Sequence, residues 1–138
     1  GGKGKAAAVL TLDAEKGLSS PYSLGLGDGL GYVPTPIIHA GLIYLWGDSG
    51  VLTVRKATSG EFVYEDRVGG DFFSSPIILD GKIYAGSRNG ELVAVSLGET
   101  FEVLGRASFP GGIYATPAAA NGYLVIRTET HLIGVKGK

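Results

Sequence analysis

The sequence contains no cysteine, and this absence excludes disulfide bonds, thiolate metal sites and thiol nucleophiles. It also contains no methionine, even at position 1, so we expect a processed chain or a piece of a longer protein. The net charge is only -1, so nothing indicates nucleic acid or an anionic membrane as a partner. No apolar run approaches the roughly 20 residues that cross a bilayer, and we therefore predict no transmembrane segment.

Glycine is abundant, at 24 of 138 residues, and it separates short apolar runs as turn residues do in all-β proteins. One segment recurs three times. Residues 75–84 read SPIILDGKIY, residues 35–44 read TPIIHAGLIY, and residues 116–125 read TPAAANGYLV. Self-similarity with a period near forty residues predicts a repeat architecture.

Each repeat offers short apolar runs separated by turns. In the best-defined repeat the turns are Asp80-Gly81 and Asn89-Gly90, and the predicted strands are 72–79, 82–88, 91–97 and 100–109. Asp-Gly and Asn-Gly favour tight hairpins, because type I′ turns need positive φ at both central positions. Four antiparallel strands in about forty residues are typical of one β-propeller blade. Adjacent isoleucines in the first strand, as at Ile77 and Ile78, predict that this strand is buried on both faces.

We therefore predict an all-β fold, a partial β-propeller of four-stranded antiparallel blades. The prediction comprises two full blades, one three-stranded blade and an N-terminal remnant whose strand lies near residues 8–17. The chain is a single unit, 1–138, with repeats at about 8–31, 32–71, 72–112 and 113–136.

Closed propellers have typically about four to eight blades, so the outer faces of this array predict association. Three solutions stay open: the chain continues, it pairs with copies of itself, or it packs onto another subunit. Alternatively, the strand at residues 6–12 supplies the missing outer strand of the last blade.

Two segments resemble a known repeat. Residues 57–64, ATSGEFVY, and residues 12–17, LDAEKG, resemble the LDAxTGxxxW tail of quinoprotein-type blades. With the repeated Pro-Ile-Ile and Gly-x-Ile-Tyr core, residues 8–136 resemble the PQQ-like β-propeller repeat superfamily, above all C-terminal blades of uncharacterised bacterial propellers. That superfamily includes quinoprotein dehydrogenases and non-enzymatic members, among them the propeller lipoprotein of outer-membrane assembly. The resemblance implies a bacterial protein that is periplasmic or extracellular.

The departures from the quinoprotein pattern argue against an enzyme. Tyr64 stands where the motif ends in Trp, and the vicinal cysteines of many quinoprotein dehydrogenases are absent. No segment matches their Glu/Asn/Asp calcium and catalytic set. We therefore expect no catalytic residue, no cofactor and no metal site, and we favour a non-catalytic binding or assembly scaffold. The alternative is part of a quinone-dependent dehydrogenase whose catalytic residues lie elsewhere.

Binding is expected at one end of the blades, where the interblade loops and the second-to-third strand turns emerge. We call this end the loop face; it comprises residues 27–32, 69–73 and 111–114 with the turns at 48–49, 88–89 and 128–130. Loops on a rigid scaffold commonly carry binding residues, so we predict a protein or small-ligand partner here. The candidates are Asp28, Tyr32, Asp48, Asp71, Phe72, Arg88, Tyr114 and Glu129. The plainer interpretation is that they form turns and close the hydrophobic layers.

One set of equivalent repeat positions holds unlike residues. Trp46, Gly86 and Arg127 occupy the same place in the three repeats. Scaffold positions tend to repeat, so such divergence indicates either a specific site or drift at an exposed strand end.

Overall fold

The computed structural model describes residues 7–136. That part of the chain contains 13 β-strands and one 3₁₀ turn at Leu26–Asp28. The strands are β1 (Ala7–Asp13), β2 (Gly17–Leu24), β3 (Ile37–His39), β4 (Leu42–Trp46), β5 (Val51–Lys56), β6 (Phe62–Arg67), β7 (Ile77–Leu79), β8 (Lys82–Gly86), β9 (Glu91–Ser96), β10 (Val103–Ser108), β11 (Ala118–Ala120), β12 (Tyr123–Arg127) and β13 (Leu132–Lys136). Across these residues no helix has the length and apolar character needed to cross a membrane.

The strands form four antiparallel sheets in chain order. β1 and β2 form an N-terminal hairpin, β3 to β6 form blade 1, β7 to β10 form blade 2, and β11 to β13 form blade 3. Within each sheet every strand pairs with its neighbour in sequence, so there is no crossover in the described residues. The predicted architecture of two four-stranded blades, one three-stranded blade and an N-terminal remnant is confirmed.

The hairpin turns explain why the blades form where the repeats predict them. The three turns between first and second strands are Ala40-Gly41, Asp80-Gly81 and Asn121-Gly122. All six residues have positive φ, between 47° and 78°. This is the left-handed geometry that two-residue hairpin loops require. Glycine adopts it without steric cost, and Asp and Asn tolerate it better than other residues do.

Blade 1 shows how the sheets pack against one another. Along β4, Leu42, Tyr44 and Trp46 belong to the core between blades 1 and 2, whereas Ile43 and Leu45 belong to the core between blade 1 and the N-terminal hairpin. All five side chains are buried. A strand buried on both faces has an unbroken apolar sequence, and that is what LIYLW at residues 42–46 provides.

Blade 2 repeats this arrangement. In β8, Ile83 and Ala85 face blade 1, while Tyr84 packs on the core that blade 2 shares with Leu124 and Ile126 of blade 3. The four sheets are therefore stacked face to face in chain order, and each interface contains its own hydrophobic core.

The first strand of each blade differs from the prediction. The first strand of blade 2 begins at Ile77, not at residue 72, and in blade 1 Ile38 is 61% exposed. In blade 3 the whole of β11 is exposed. The prediction of burial on both faces holds in part for β7, where Ile78 packs on the core towards blade 1 and Ile77 packs on the core towards blade 3, and both are half-buried. It is wrong for β3, where Ile38 is exposed. Burial on both faces is a property of the second strands of blades 1 and 2.

The N-terminal hairpin contains a strand that the sequence did not indicate. β2 is mostly exposed and contains Pro21, so it lacks the apolar alternation of a typical strand. It is held by Tyr22, whose hydroxyl donates to the Ala57 carbonyl oxygen at 2.8 Å. β1 pairs with β2. Residues 7–12 therefore do not supply the outer strand of blade 3, as the alternative prediction had it. Residue 6 lies outside the described residues.

Side-chain sizes are matched at the interfaces between blades. Trp46 of blade 1 meets Phe72 edge to face, with ring centroids 5.2 Å apart. Gly86 takes the equivalent place in blade 2, and a Cβ atom there would overlap the side chain of Ile113. The absence of a side chain at Gly86 is thus a packing requirement.

We expect Gly86→Ala to destabilise the fold by about 1–3 kcal/mol, since overpacking a filled core forces side chains and backbone to shift. Gly105→Ala is the matched control, because a Cβ atom at Gly105 meets nothing within 4 Å. Chemical denaturation of both variants measures the difference. Equal stability of the two variants would contradict tight packing at Gly86.

Tyr64 lies between blades 1 and 2 with an unusual environment for its hydroxyl group. Its ring packs against Phe101, with centroids 6.3 Å apart. The hydroxyl is buried and has no hydrogen-bond partner among residues 7–136. Burial raises the pKa of Tyr64 to about 12, with smaller contributions from Tyr44 and Asp66.

This environment predicts a pH dependence of stability. The ordinary tyrosine pKa is 10.0 and the folded value is about 12, so the folded chain retains this proton when the unfolded chain loses it. The stability that the protonated Tyr64 hydroxyl contributes is complete below pH 10 and decreases as the pH rises through about 12. Tyr64→Phe should lack this component and lose less stability over that range.

Denaturant unfolding of wild type and Tyr64→Phe at pH 8 and at several values above pH 10 provides the test. At pH 8 we expect Tyr64→Phe to be as stable as wild type or up to about 1 kcal/mol more stable, because it removes a buried unpaired hydroxyl. Parallel curves for the two proteins above pH 10 would refute the assignment.

Candidate functional site

The loop face is built from loops that are hydrogen-bonded on both sides. In the loop between blades 1 and 2, the Phe72 N–H donates to the Asp48 carbonyl oxygen (2.8 Å), and the Asp71 carbonyl oxygen accepts from the Arg88 N–H (2.7 Å). The next loop makes corresponding bonds, from Ile113 N–H to Ser87 O (2.9 Å) and from Glu129 N–H to Gly112 O (3.0 Å). Each interblade loop is therefore fixed to the turns of both adjoining blades.

Two of the acidic candidates stabilise these loops. Asp48 accepts the backbone N–H groups of Tyr32 (2.7 Å) and Val33 (2.9 Å) with its two carboxylate oxygens. Glu129 accepts the Gly112 N–H at 3.0 Å. Backbone donors at the edge of a core need such partners, so these carboxylates have a structural role. The Tyr32 side chain is exposed.

Asp28 is not on the loop face. It forms an ion pair with Arg55 at 2.7 Å, and Arg55 also donates to the Gly60 carbonyl oxygen in the β5–β6 turn. That turn lies at the opposite end of the blade. The segment from residue 25 to residue 32 therefore crosses the face of blade 1, and only its C-terminal part reaches the loop face.

The prediction that Phe72 is a binding residue is wrong. Phe72 is fully buried in the core between blades 1 and 2 and offers no surface to a partner, whereas the neighbouring Phe73 is 38% exposed. The repeat contained the signal for this assignment. Aligning Pro76 with Pro117 places Phe73 opposite Tyr114, an exposed aromatic, and Phe72 opposite Ile113, a core residue. The order of the two phenylalanines follows from that alignment.

Three candidates come together with Phe73. The guanidinium carbon of Arg88 lies 4.5 Å from the centroid of the Phe73 ring and 5.8 Å from that of Tyr114. The two rings meet edge to face with centroids 6.3 Å apart. Arg88 also forms an ion pair with Asp71 at 2.9 Å. We call Asp71, Phe73, Arg88 and Tyr114 the Arg88 cluster.

The positive charge of Arg88 is stable. The pKa of Arg88 is raised above the ordinary arginine value, first by its side-chain interaction with Tyr114 and then by the charge of Asp71. Stacking on aromatic rings restrains the guanidinium through cation–π attraction. The result is a positively charged, oriented group on a surface where the equivalent turn positions carry Asp48 and Glu129.

A small depression adjoins Tyr114 on the same surface. Its volume is about 120 Å³, and it is lined by Gly112, Tyr114, Ala115, Arg127, Thr128 and Glu129. Arg127 lines this depression together with Tyr114, whereas Arg88 is not among the residues that line it.

A larger groove lies at the opposite end of the blades. It has a volume of about 600 Å³, and Tyr84 and Leu124 belong to its mainly apolar walls. Between blades 1 and 2 the corresponding space is filled by the β9–β10 loop, where Leu97 and Phe101 pack on the core and the Gly98 N–H donates to the Tyr44 hydroxyl at 2.9 Å. The groove between blades 2 and 3 therefore corresponds to a space that a loop fills between blades 1 and 2. Its walls carry no cluster of polar groups like that of the loop face.

The two histidines do not form a metal site. His131 Nδ1 lies 2.8 Å from the Thr130 hydroxyl, and His39 ends β3. Over the described range 7–136, no three or more His, Asp or Glu side chains are grouped so that they could hold a metal ion.

Comparisons with known proteins agree with the fold. No protein-family model matches the chain. The outer membrane protein assembly factor BamB of Burkholderia pseudomallei (strain K96243) is 27% identical over 108 residues, which are 78% of this chain and 28% of that protein. The crystal structure of BamB from Moraxella catarrhalis matches with a TM-score of 0.70 and 20% identity, over 92% of this chain and 39% of that one.

These likenesses support the β-propeller fold, and at this level of identity the structural match shows the fold alone. The chain spans less than a third of the curated relative that it matches. The activity and partners of a whole protein of that size therefore do not follow from the likeness.

The two kinds of loop-face residue should respond differently to mutation. Asp48→Ala removes the acceptor of two backbone N–H groups and should lower stability by about 1–3 kcal/mol. Ser49→Ala, in the same turn, is the control. Arg88→Ala and Tyr114→Ala should have the same stability as Ser49→Ala. Thermal and denaturant unfolding measure all four, and a large loss of stability in Arg88→Ala would identify the cluster as a structural element.

Proposed function

We propose that this chain belongs to a non-catalytic β-propeller that binds another protein through its loop face, with the Arg88 cluster as the centre of the contact. One observation carries the proposal: an exposed arginine lies against two aromatic rings that contact each other at the end of a rigid blade stack. Arginine and aromatic residues are enriched in protein interfaces and dominate their binding energy.

The loops support this proposal through their rigidity. The interblade loop that carries Phe73 is hydrogen-bonded to the turns at Asp48 and Arg88, so its backbone is ordered before any partner binds. A preorganised surface loses less conformational entropy on association than a flexible one. Such a surface favours recognition of one partner geometry.

The relatives support the same class of function. The curated relative is named an outer membrane protein assembly factor, and assembly factors act on other proteins. We propose that this chain also binds a protein and is located in the bacterial envelope, in the periplasm or outside the cell. The resemblance of residues 57–64 to quinoprotein-type blades supports membership of the PQQ-like superfamily as the finer assignment.

The outer face of blade 3 supports assembly into a larger unit. Leu124 and Ile126 of β12 point to blade 2, so Tyr123 and Val125 lie on the other face, with Leu132 of β13. Leu132 is 75% exposed. We propose that a further sheet covers this face, either from a longer propeller chain or from another copy. The alternative of a quinone-dependent dehydrogenase stays a hypothesis, because it places its catalytic residues outside this chain.

Site-specific photo-cross-linking in the organism that makes the protein tests the binding face. We expect p-benzoylphenylalanine at Tyr114 or Phe73 to give a discrete heavier adduct with one protein. Phe62 is the matched control, since it is an exposed aromatic with an arginine, Arg55, 5.7 Å from its ring, at the opposite end of the blades.

Two results would contradict the proposal. One is the absence of any adduct at Tyr114 and Phe73 when the protein is produced at its normal level. The other is the same set of adducts from Phe62 as from Tyr114, because contact would then not be specific to the loop face.

A further inference from the structure

The chain contains two asparagines, and each of them is followed by glycine. Asn89-Gly90 lies in the turn between β8 and β9, and Asn121-Gly122 lies in the turn between β11 and β12. In such a pair the glycine nitrogen can attack the asparagine side chain with little steric hindrance, because glycine has no Cβ atom. The two turns differ in the features that control this attack.

The turn at Asn89 is held closed by hydrogen bonds. The Gly90 N–H donates to the Ser87 carbonyl oxygen at 3.0 Å, and the Gly90 carbonyl oxygen accepts from the Phe109 N–H at 2.8 Å. Gly90 is also buried. A buried N–H that already donates a hydrogen bond gives up its proton less readily than an exposed one, and moving it requires these bonds to break.

The turn at Asn121 is open. Asn121 and Gly122 are both exposed, and nothing lies within 4 Å of the position that a Gly122 Cβ atom would take. The Gly122 N–H has no backbone hydrogen-bond acceptor within residues 7–136. The adjoining strand β11 is an exposed edge strand with three residue pairs to β12. Local opening of such a short edge hairpin costs little free energy, so this turn can reach the geometry of attack.

Blade 2 carries an aspartate at the equivalent turn position. Asp80 and Asn121 have similar positive φ values, 47° and 51°. The Asp80 carboxylate lies 3.6 Å from Lys82 Nζ, and its negative charge resists attack by a nucleophile. The turn therefore accepts an aspartate, whereas blade 3 presents a neutral amide at the same place.

We propose that Asn121 is a site of spontaneous deamidation, with water as the only co-reactant. The Gly122 nitrogen releases its proton to solvent and forms a bond to Cγ of Asn121. The bond between Cγ and Nδ2 breaks, and the side-chain nitrogen takes a proton from water and leaves as ammonia. The product is a cyclic succinimide. Water then opens the ring at either of its carbonyl carbons, which yields aspartate or isoaspartate.

The two products affect the hairpin differently. Aspartate retains the backbone, and the turn at Asp80 shows that this residue is accepted there. Isoaspartate carries the chain through its side chain, so it lengthens a two-residue turn whose geometry sets the register of β11 and β12. Both products add a negative charge to the groove that Asn121 lines. Deamidation therefore changes the end of blade 3 that lies opposite the loop face.

Peptide mapping by mass spectrometry tests the proposal, because chromatography separates the aspartate and isoaspartate peptides from the parent peptide. The folded protein is incubated at mildly alkaline pH and sampled over time. We expect Asn121 to react about tenfold faster than Asn89, since the closed turn must first lose its hydrogen bonds. The same incubation in concentrated urea is the control, and there the two pairs should react at similar rates.

Variants separate the added charge from the lengthened backbone. In ¹⁵N-labelled protein, Asn121→Asp should keep the amide signals of Ala119 and Tyr123 close to their wild-type positions. Incubated wild type should develop a second set of signals for these residues. Asn121→Gln should develop none, because attack on the longer side chain requires a larger ring. The signal of Tyr114, on the loop face, should stay unchanged throughout.

Equal rates at Asn121 and Asn89 in the folded protein would overturn the proposal. The same preference for Asn121 in urea would also overturn it, because the local sequence and not the fold would then set the rate. A third contrary result is an unreacted Asn121 in the folded protein after the unfolded chain has reacted completely.

Discussion

The second strand of each blade has apolar side chains on both faces, and the rest of the structure depends on this constraint. Ile43 and Leu45 of β4 require a sheet on one side, while Tyr44 and Trp46 require a sheet on the other. Burial of apolar area is the main favourable term in folding, at about 25 cal/mol per Å². A single blade satisfies neither part of this requirement, because each face is covered by a neighbouring sheet. Stability is therefore shared between neighbouring sheets, as in other repeat proteins.

The stacking also determines the chemistry of the loop face. Each interblade loop passes over the turn of an adjacent blade, and its backbone N–H groups need acceptors there. Asp48 and Glu129 supply them in blades 1 and 3. In blade 2 the carboxylate belongs to the loop, as Asp71, and the turn position is occupied by Arg88. The loop framework is retained, and the turn position changes from a carboxylate to a guanidinium group that is paired with Asp71.

Much of the fold could be predicted because it depends on local signals. The Asp80-Gly81 and Asn121-Gly122 turns carry residues suited to positive φ, and they set the period of the repeat. The burial of the first strands could not be predicted in this way, because paired isoleucines occur both in β7, which packs on two cores, and in β3, where Ile38 is exposed. β2 was missed for a related reason, since its pairing with β1 depends on the tertiary contact of Tyr22.

The candidate site was predicted in part. Loop positions indicated Asp71, Arg88 and Tyr114, which do come together. Phe72 and Phe73 could not be distinguished by composition, since both are aromatic and adjacent, and only the repeat alignment separates the core position from the surface one. Asp28 was assigned to the wrong end, because a glycine-rich segment gives no indication of the path that it takes across a sheet.

Trp46 has a further consequence for how the molecule can be observed. It is the only tryptophan in the chain, and it is buried between blades 1 and 2 against Phe72. Its indole N–H has no hydrogen-bond partner among residues 7–136. The tryptophan fluorescence of the protein therefore comes from a single interface, and its emission wavelength reports whether water has entered between these two blades.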